Sequence, residues 1–157
     1  MGDNEVNIRQ GALEDLDVLV DFQLKMAWVT EERKLDKDTV TRGVKRILDD
    51  KDKSKGFYIV AENKEKQIMG SCMVTYEWSD WQAKDFYWIQ SVFVDENHRR
   101  KGIYRKLYSR VKELAIENNA SPELRLYVEN TNETAQKAYK ALGMNQSHYL
   151  IYDTMLN

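Results

Sequence analysis

VFVDENHRRKGIYRKL, residues 92–107, joins a run of strand-forming residues to the start of a helical pattern through a glycine among cations. Seven Lys or Arg residues and no Asp or Glu lie between Asn97 and Lys112, although the chain has a formal charge of −2. The first N–H groups of a helix lack partners within the helix, and the helix dipole makes that end positive. Gly102 has no Cβ, so the backbone there can approach an anion closely. The stretch therefore predicts a phosphate-binding turn; the alternative is a tight turn beside a solvated basic helix face.

The sequence around this turn predicts an α/β chain. Apolar residues recur with helical spacing in residues 13–28, 38–49, 103–118 and 130–143, and with strand-like patterns in 6–8, 57–62, 68–78, 88–94, 124–129 and 147–155. The predicted order is β-α-α-β-β-β-α-β-α-β, with the three central strands in a meander. Since no repeat or composition shift marks a boundary, we expect a single domain over residues 1–157.

Bulk composition narrows the class of protein. The chain has 157 residues, of which 42% are hydrophobic and 11% aromatic, as in a folded globular protein. The net charge of −2 gives no general attraction to nucleic acid or to an anionic membrane, and no apolar run approaches the roughly 18 residues that a membrane span needs. The start, MGDNEV, lacks the features of a secretion signal, and Cys72 is the single cysteine. We therefore expect a cytoplasmic protein with no nucleic-acid or membrane partner.

A second motif follows in VENTNETAQKAYKALGM, residues 128–144. Asn132 is suited to cap a helix, and Gly143 stands where the residue after a helix is often a glycine. Ala135, Tyr139 and Leu142 fall on one face of that helix, which predicts that Tyr139 points inward. The alternative for Tyr139 is a buried aromatic residue without a chemical role.

Together, the two motifs make residues 88–144 resemble the core of the GNAT superfamily of acetyl-coenzyme A-dependent N-acetyltransferases. The resemblance implies an N-acetyltransferase enzyme with the family's fold, a central mixed, mostly antiparallel sheet flanked by helices. Two positions depart from the family pattern, because Tyr104 stands where Gly or Ala is usual and Met144 replaces the usual Phe. The residues in register with the family motifs are Arg99, Gly102, Asn132, Ala135, Tyr139 and Gly143.

The resemblance also implies acetyl-CoA as cosubstrate, and the positions of the histidines and the cysteine give no reason to expect a metal. The pyrophosphate is expected on the turn around Gly102, and the pantetheine amides along the strand end at 92–94, where family members splay the sheet. The residues expected to contact the cosubstrate are Val92, Phe93, Val94, Arg99, Arg100, Lys101, Gly102, Ile103, Tyr104, Arg105, Asn130, Asn132 and Ala135.

Acetyl transfer to an amine requires a base, because an alkyl ammonium has a pKa of roughly 10 and must lose its proton before it attacks. We expect Glu77 to be that base, with Asp80, Asp85, Glu32 or water as alternatives. The resemblance implies that Tyr139 gives a proton to the departing thiolate.

The acceptor is expected to be a cationic amine, either a small molecule or a peptide. Residues 77–96 hold five acids, one lysine and three tryptophans, and acids beside aromatic rings suit such a ligand. The alternative is that these tryptophans belong partly to the core and partly to the face of a homodimer. The residues expected to contact the acceptor are Trp28, Glu32, Trp78 and Asp80.

The sequence leaves two other functions open. A coenzyme A-binding sensor or regulatory module of the same fold is the main alternative, and a nucleic-acid binder is disfavoured by the net charge. His98 and His148 are far apart in sequence and Cys72 lies on a predicted strand, so neither a zinc site nor an acyl-cysteine mechanism is expected.

Overall fold

The computed structural model describes residues 5–157. It separates into two compact units, one ending at Tyr127 and the other running from Val128 to Asn157. The single domain predicted over residues 1–157 stays a prediction. The helices and strands of the first unit are β1 (Asn7–Gln10), α1 (Leu16–Glu31), α2 (Lys37–Leu48), β2 (Gly56–Glu62), β3 (Ile68–Ser79), β4 (Lys84–Val94), α3 (Ile103–Glu117) and β5 (Leu124–Leu126).

The five strands form one sheet in the order β1-β2-β3-β4-β5. The first four strands are antiparallel neighbours, and β5 joins β4 in parallel. This mixed, mostly antiparallel sheet with flanking helices is the predicted fold class. Parallel strands need a long crossover, and α3 supplies it between β4 and β5.

Two apolar cores lie on opposite faces of the sheet, because successive side chains of a strand point to opposite faces. Tyr58 and Val60 of β2 pack with α1 and α2, whereas Phe57 and Ile59 belong to the cluster that contains α3. In α3 the buried residues Ile103, Leu107 and Val111 form the stripe that contacts this second cluster. The stripe fixes the helix, and with it the position of the turn that precedes Ile103.

The second unit contains one helix, α4 (Glu133–Ala141). The Asn132 side chain accepts a hydrogen bond from the Ala135 N–H at 3.1 Å, so the predicted cap is confirmed. Gly143 has a φ of 90°, as expected for a residue that ends a helix in the left-handed region. Tyr139 is half-buried, and none of the α4 residues is fully buried.

The predicted strand at 147–155 is wrong: this segment has no strand conformation in the described structure. Its alternation of apolar residues resembles a strand, but a strand also needs a neighbour to take its backbone hydrogen bonds. Leu150, Ile151 and Tyr152 are exposed. The predicted strand 124–129 is also shortened, since β5 ends at Leu126.

A buried charge network ties β1 to β2 and to the turn before α1. Arg9 donates to Asp15 at 2.8 Å and to Glu62 at 2.9 Å, and Asn7 also donates to Glu62 at 2.9 Å. The hydrogen bonds from Asn7 and Arg9 lower the pKa of Glu62 to about 2. Burial would raise the pKa of Asp15, but the hydrogen bonds from Arg9 and the Ala12 N–H lower it.

We expect this network to make folding sensitive to acid. The Glu62 pKa lies below its usual value of 4.5, so its stabilising contribution is present above pH 4.5 and is lost as the pH falls towards 2. An Arg9→Met variant should be less stable at pH 7 by roughly 3 kcal/mol, because two buried carboxylates lose their cation. Urea unfolding should show that, as the pH falls from 4.5 towards 2, the free energy of unfolding decreases less in the variant than in the wild type. Lys25→Met, which removes an exposed pair, is the control, and an equal loss in both variants would contradict the assignment.

Candidate acetyl-CoA site

The β4 strand has an edge that β5 leaves open. Parallel pairing joins Tyr87, Trp88 and Ile89 to Leu124–Leu126 and stops there, whereas β4 continues along β3 as far as Val94. The register with β3 shifts between Met73 and Val74, which face Ser91 and Ile89, so Gln90 is an extra residue in β4. The parallel pairing thus ends before residues 92–94, where the family resemblance implies a splay. From Gln90 onward this edge offers main-chain groups to a ligand.

The end of β4 is anchored by α1 and by the neighbouring strand β3. The ring of Phe93 packs on Phe22 of α1 with 4.7 Å between centroids, and the N–H of Asp95 donates to the Met69 carbonyl at 2.9 Å. Val92, Phe93 and Val94 are half-buried. These contacts fix the path of the strand, so its open edge is a rigid one.

The turn from β4 into α3 has two residues in the left-handed region. Arg100 has a φ of 64° and Gly102 a φ of 73°, and Gly102 immediately precedes the helix. No side chain among the described residues caps this end of α3. Ile103 is 1% exposed and belongs to the apolar cluster on the α3 face, so it holds the start of the helix in place. An uncapped helix start after a left-handed glycine is the arrangement that the predicted phosphate-binding turn requires.

One cation of this turn bonds to the protein main chain, and three others are exposed. Arg99 donates through Nε to the Val94 carbonyl at 3.3 Å, so part of its guanidinium holds the turn to the strand end. Arg100, Lys101 and Arg105 are exposed, and Tyr104 is half-buried. Three exposed cations around an open helix start give a locally positive surface in a chain of net charge −2.

Glu77, the predicted base, is engaged by two donors. The Trp88 indole N–H donates to it at 3.1 Å, and Arg125 forms an ion pair with it at 3.4 Å. Glu77 faces Phe86 in the register, which is four residues, or about 13 Å of strand, from the extra residue Gln90. Neither Arg125 nor Gln90 lies in a recognisable motif, so the sequence alone predicts no role for them.

The residues predicted to contact the acceptor fall into two groups that the structure does not bring together. Lys25 of α1 interacts electrostatically with Asp95 and Glu96, which directly follow β4. The last turns of α1, which carry Trp28 and are followed by Glu32, therefore lie near the end of β4. Trp78 of β3 instead lies opposite Asp85 of β4 in the strand register. Asp85 and Phe93 are eight residues apart, or about 26 Å along the strand. Asp80 lies two residues after Trp78, at the tip of the β3–β4 hairpin. The side chains of Trp28 and Trp78 are both exposed.

The remaining predicted residues lie in the second unit. Asn132 uses its side chain as the α4 cap, and the Ala135 N–H is the donor to that cap. The Asn130 carbonyl accepts from the Gln136 side chain at 3.0 Å. All three therefore contribute to the local structure that presents Tyr139 on α4.

Residues 5–157 contain no group of three or more His, Cys, Asp or Glu side chains placed to hold a metal ion. Burial raises the pKa of the Cys72 thiol to about 12, so it stays protonated at neutral pH. Over the same range, none of the helices is both long and apolar enough to cross a membrane.

Sequence comparison finds one family profile and related animal enzymes. The profile of the acetyltransferase (GNAT) family matches residues 20–144. Thialysine N-epsilon-acetyltransferase from Bos taurus is 34% identical over 79 residues, which cover 47% of this chain and 45% of the bovine protein. The protein of the same name from Sus scrofa matches with the same identity and coverage. The chain thus spans about half the length of these curated relatives.

Solved structures are similar over nearly the whole chain. The crystal structure of a possible acetyltransferase from Clostridium difficile 630 has a TM-score of 0.90 and 38% identity, and covers 97% of this chain and 98% of that one. Aminoglycoside N-acetyltransferase AAC(6')-Iy in complex with CoA has a TM-score of 0.78, with 96% and 95% covered. At 16% identity, the second likeness concerns the fold alone.

Proposed function

Because the chain belongs to the acetyltransferase (GNAT) family, we propose that it transfers the acetyl group of acetyl-CoA to a primary amine. The amine attacks directly while both substrates are bound. The observation that carries this proposal is the open edge of β4 from Gln90 to Val94, which leads to the uncapped start of α3 at Gly102. When bound, acetyl-CoA supplies an acetyl group activated as a thioester.

The turn at Gly102 is proposed to hold the pyrophosphate. N–H groups at the start of α3 point out of the helix, and the left-handed Gly102 leaves open space where a Cβ would stand. Arg100, Lys101 and Arg105 add charge-assisted contacts to the phosphates. Arg99 uses its Nε to hold the Val94 carbonyl and contributes its terminal guanidinium nitrogens.

The edge of β4 is proposed to hold the pantetheine arm. Amides of that arm pair with main-chain groups of residues 92–94 in the way an added strand pairs with a sheet. A main-chain N–H of the same segment stabilises negative charge that develops on the acetyl carbonyl oxygen. These roles need only backbone atoms, so the side chains of Val92 and Phe93 remain free to pack.

Tyr139 is proposed as the acid that protonates the departing thiolate, and Glu77 as the base that accepts the proton of the amine. The support for Tyr139 is its motif position, four residues after Ala135 in α4. The distance of Glu77 from Gln90 requires water to relay the proton. Its carboxylate also accepts a hydrogen bond from Trp88 and pairs with Arg125.

Steady-state measurement of thiol release with a panel of amines tests the proposal. We expect release from acetyl-CoA only when an amine is present, and mass spectrometry should find that amine acetylated. If the chain binds coenzyme A but releases no thiol with any amine, the sensor or regulatory module is the better description. The engagement of Glu77 by Arg125 is the observation that favours this second candidate.

The base assignment predicts a pH-dependent defect. Glu77→Gln should lower kcat/KM at neutral pH by roughly 100-fold, and the defect should shrink as the pH approaches the amine pKa of about 10. Glu123→Gln is the matched control, because Glu123 also contacts Arg125, at 3.0 Å, without a proposed proton-transfer role. If kcat/KM falls equally in the two variants, Glu77 acts by positioning Arg125 and not as the base.

The two separated groups of acceptor residues predict a dependence on acceptor length. A small amine should contact Trp28 and Glu32, so Trp28→Ala should raise its KM about tenfold while Trp78→Ala leaves it unchanged. A peptide amine is long enough to span both groups, and Trp78 and Asp80 would then contribute too. A raised KM for a small amine in Trp78→Ala alone would reverse the assignment.

Localisation in the cytoplasm and a homodimer are also part of the proposal. The large apolar side chains at Leu150, Ile151, Tyr152 and Leu156 are exposed, and such a run favours self-association. Sedimentation equilibrium tests this, with a dimer mass expected and a monomer mass at all concentrations contradicting it.

A further inference from the structure

A second groove, of about 910 Å³, lies on the α3 side of the sheet. It is lined by the second half of α3 from Arg110 onward and by residues 83–85 of the β3–β4 hairpin. Arg110 is eight residues from Gly102, or about 12 Å along the helix, and Asn118 is about 24 Å away. The groove is therefore separate from the proposed acetyl-CoA turn, and Trp78 is the one predicted acceptor residue that lines it.

The floor of this groove is aromatic. The rings of Tyr76 and Tyr87 have centroids 5.3 Å apart, and Phe57 lies 5.9 Å from Tyr87 and 6.3 Å from Tyr76. The Tyr87 hydroxyl accepts from the Asn118 side chain at 3.0 Å. Burial, and then the neighbouring Tyr87 and Asp85, raise the pKa of Tyr76 to about 12, so its hydroxyl remains a donor at neutral pH. Phe57 and Tyr87 are only 6% and 5% exposed, so the partly exposed ring of Tyr76 offers most of the flat apolar surface among these three.

Some charges around the groove are already neutralised within the chain. Arg9 is paired with Asp15 at 2.8 Å and with Glu62 at 2.9 Å. Arg110 is paired with Glu113 at 3.0 Å and Glu117 at 3.1 Å. These two cations are therefore poor partners for a ligand.

Other charges are available. Among the described residues, the carboxylate of Asp85 and the ammonium of Lys53 have no hydrogen-bond or ion-pair partner, and both residues line the groove. Lys84 also lines it and donates a single hydrogen bond, to Asn119 at 3.0 Å. The groove thus combines an available anion next to the aromatic floor with available cations at its rim. A ligand that carries only a positive or only a negative charge would leave either the lysines or Asp85 without a partner.

We propose that this groove binds a free α-amino acid with an aromatic side chain. The ring packs on Tyr76, whose position Phe57 and Tyr87 fix, the ammonium group pairs with Asp85, and the carboxylate pairs with Lys53 or Lys84. This site is separate from the proposed acetyl-CoA turn, since none of the residues proposed to hold acetyl-CoA lines it, and it shares only Trp78 with the contacts proposed for a peptide acceptor.

Titration calorimetry on the full chain without acetyl-CoA tests the site. L-phenylalanine is the probe, L-phenylalanine amide lacks its carboxylate, and N-acetyl-L-phenylalanine lacks its ammonium. Each derivative should bind at least about tenfold more weakly than the free amino acid, because each loses one charge-assisted contact. Absence of L-phenylalanine binding at millimolar concentration, or equal binding of the amide, would overturn the proposal.

Variants locate the binding within the chain. Asp85→Asn should weaken L-phenylalanine by about tenfold or more, whereas Glu65→Gln, an exposed acid outside the groove, should not. Trp28→Ala should also leave binding unchanged, which separates this groove from the proposed acceptor site. Loss of binding in Trp28→Ala with full binding in Asp85→Asn would move the amino acid to the acceptor site and refute the inference. Thermal unfolding of each variant checks that it is folded.

Discussion

Gly102→Glu is expected to lose acetyl-CoA binding, with an affinity at least about 100-fold below that of the wild type. The introduced carboxylate stands at the start of α3, where it competes for the same N–H groups and repels the pyrophosphate. The fold should tolerate the change, because a Cβ at this position meets nothing within 4 Å. The φ of 73° adds a strain of roughly 1–2 kcal/mol for any residue other than glycine.

The matched control for this variant is Gly102→Gln. Glutamine has the same size and suffers the same backbone strain, so the two variants differ only in charge. Titration calorimetry with coenzyme A should give a much weaker affinity for the Glu variant than for the Gln variant. If both bind equally, electrostatic capture at the start of α3 is refuted; if both bind like the wild type, the phosphates lie elsewhere.

Local pattern was sufficient to predict the parts of the site that depend on neighbouring residues in the chain. The change from strand to helical spacing around Gly102 predicts where α3 begins, because a helix needs its apolar stripe and its first turn within a few residues. Asn132 and Gly143 likewise predict the bounds of α4 to within two residues, as caps act on the adjacent turn. The three-strand meander follows from short connections between its members.

Interactions between distant parts of the chain could not be predicted in this way. Arg125 meets Glu77 across 48 residues, and Arg9 meets Glu62 across 53, which no spacing rule encodes. The same limit explains the error at 147–155, since alternation of side chains does not specify a neighbouring strand. It also explains why Trp28 and Trp78 appeared to share one site, although they belong to opposite ends of β4.

Tyr139→Phe is expected to lower kcat for acetyl transfer by roughly 100-fold while the affinity for acetyl-CoA stays within about twofold. The substitution removes one oxygen from a half-buried side chain, so α4 should keep its structure and its Asn132 cap. A thiolate that leaves without a proton donor is a poorer leaving group, and the loss therefore falls on the chemical step rather than on binding.

The control for Tyr139→Phe is Tyr152→Phe, in the same unit and 90% exposed, which should leave both kinetic constants unchanged. Pre-steady-state measurement of thiol release separates the chemical step from product release, so a slow release cannot hide the defect. An unchanged single-turnover rate in Tyr139→Phe would remove this hydroxyl from the reaction and leave water as the proton donor. A weakened affinity for acetyl-CoA at an unchanged rate would instead make Tyr139 a binding residue, and the acid would have to be sought among other groups near the open edge of β4.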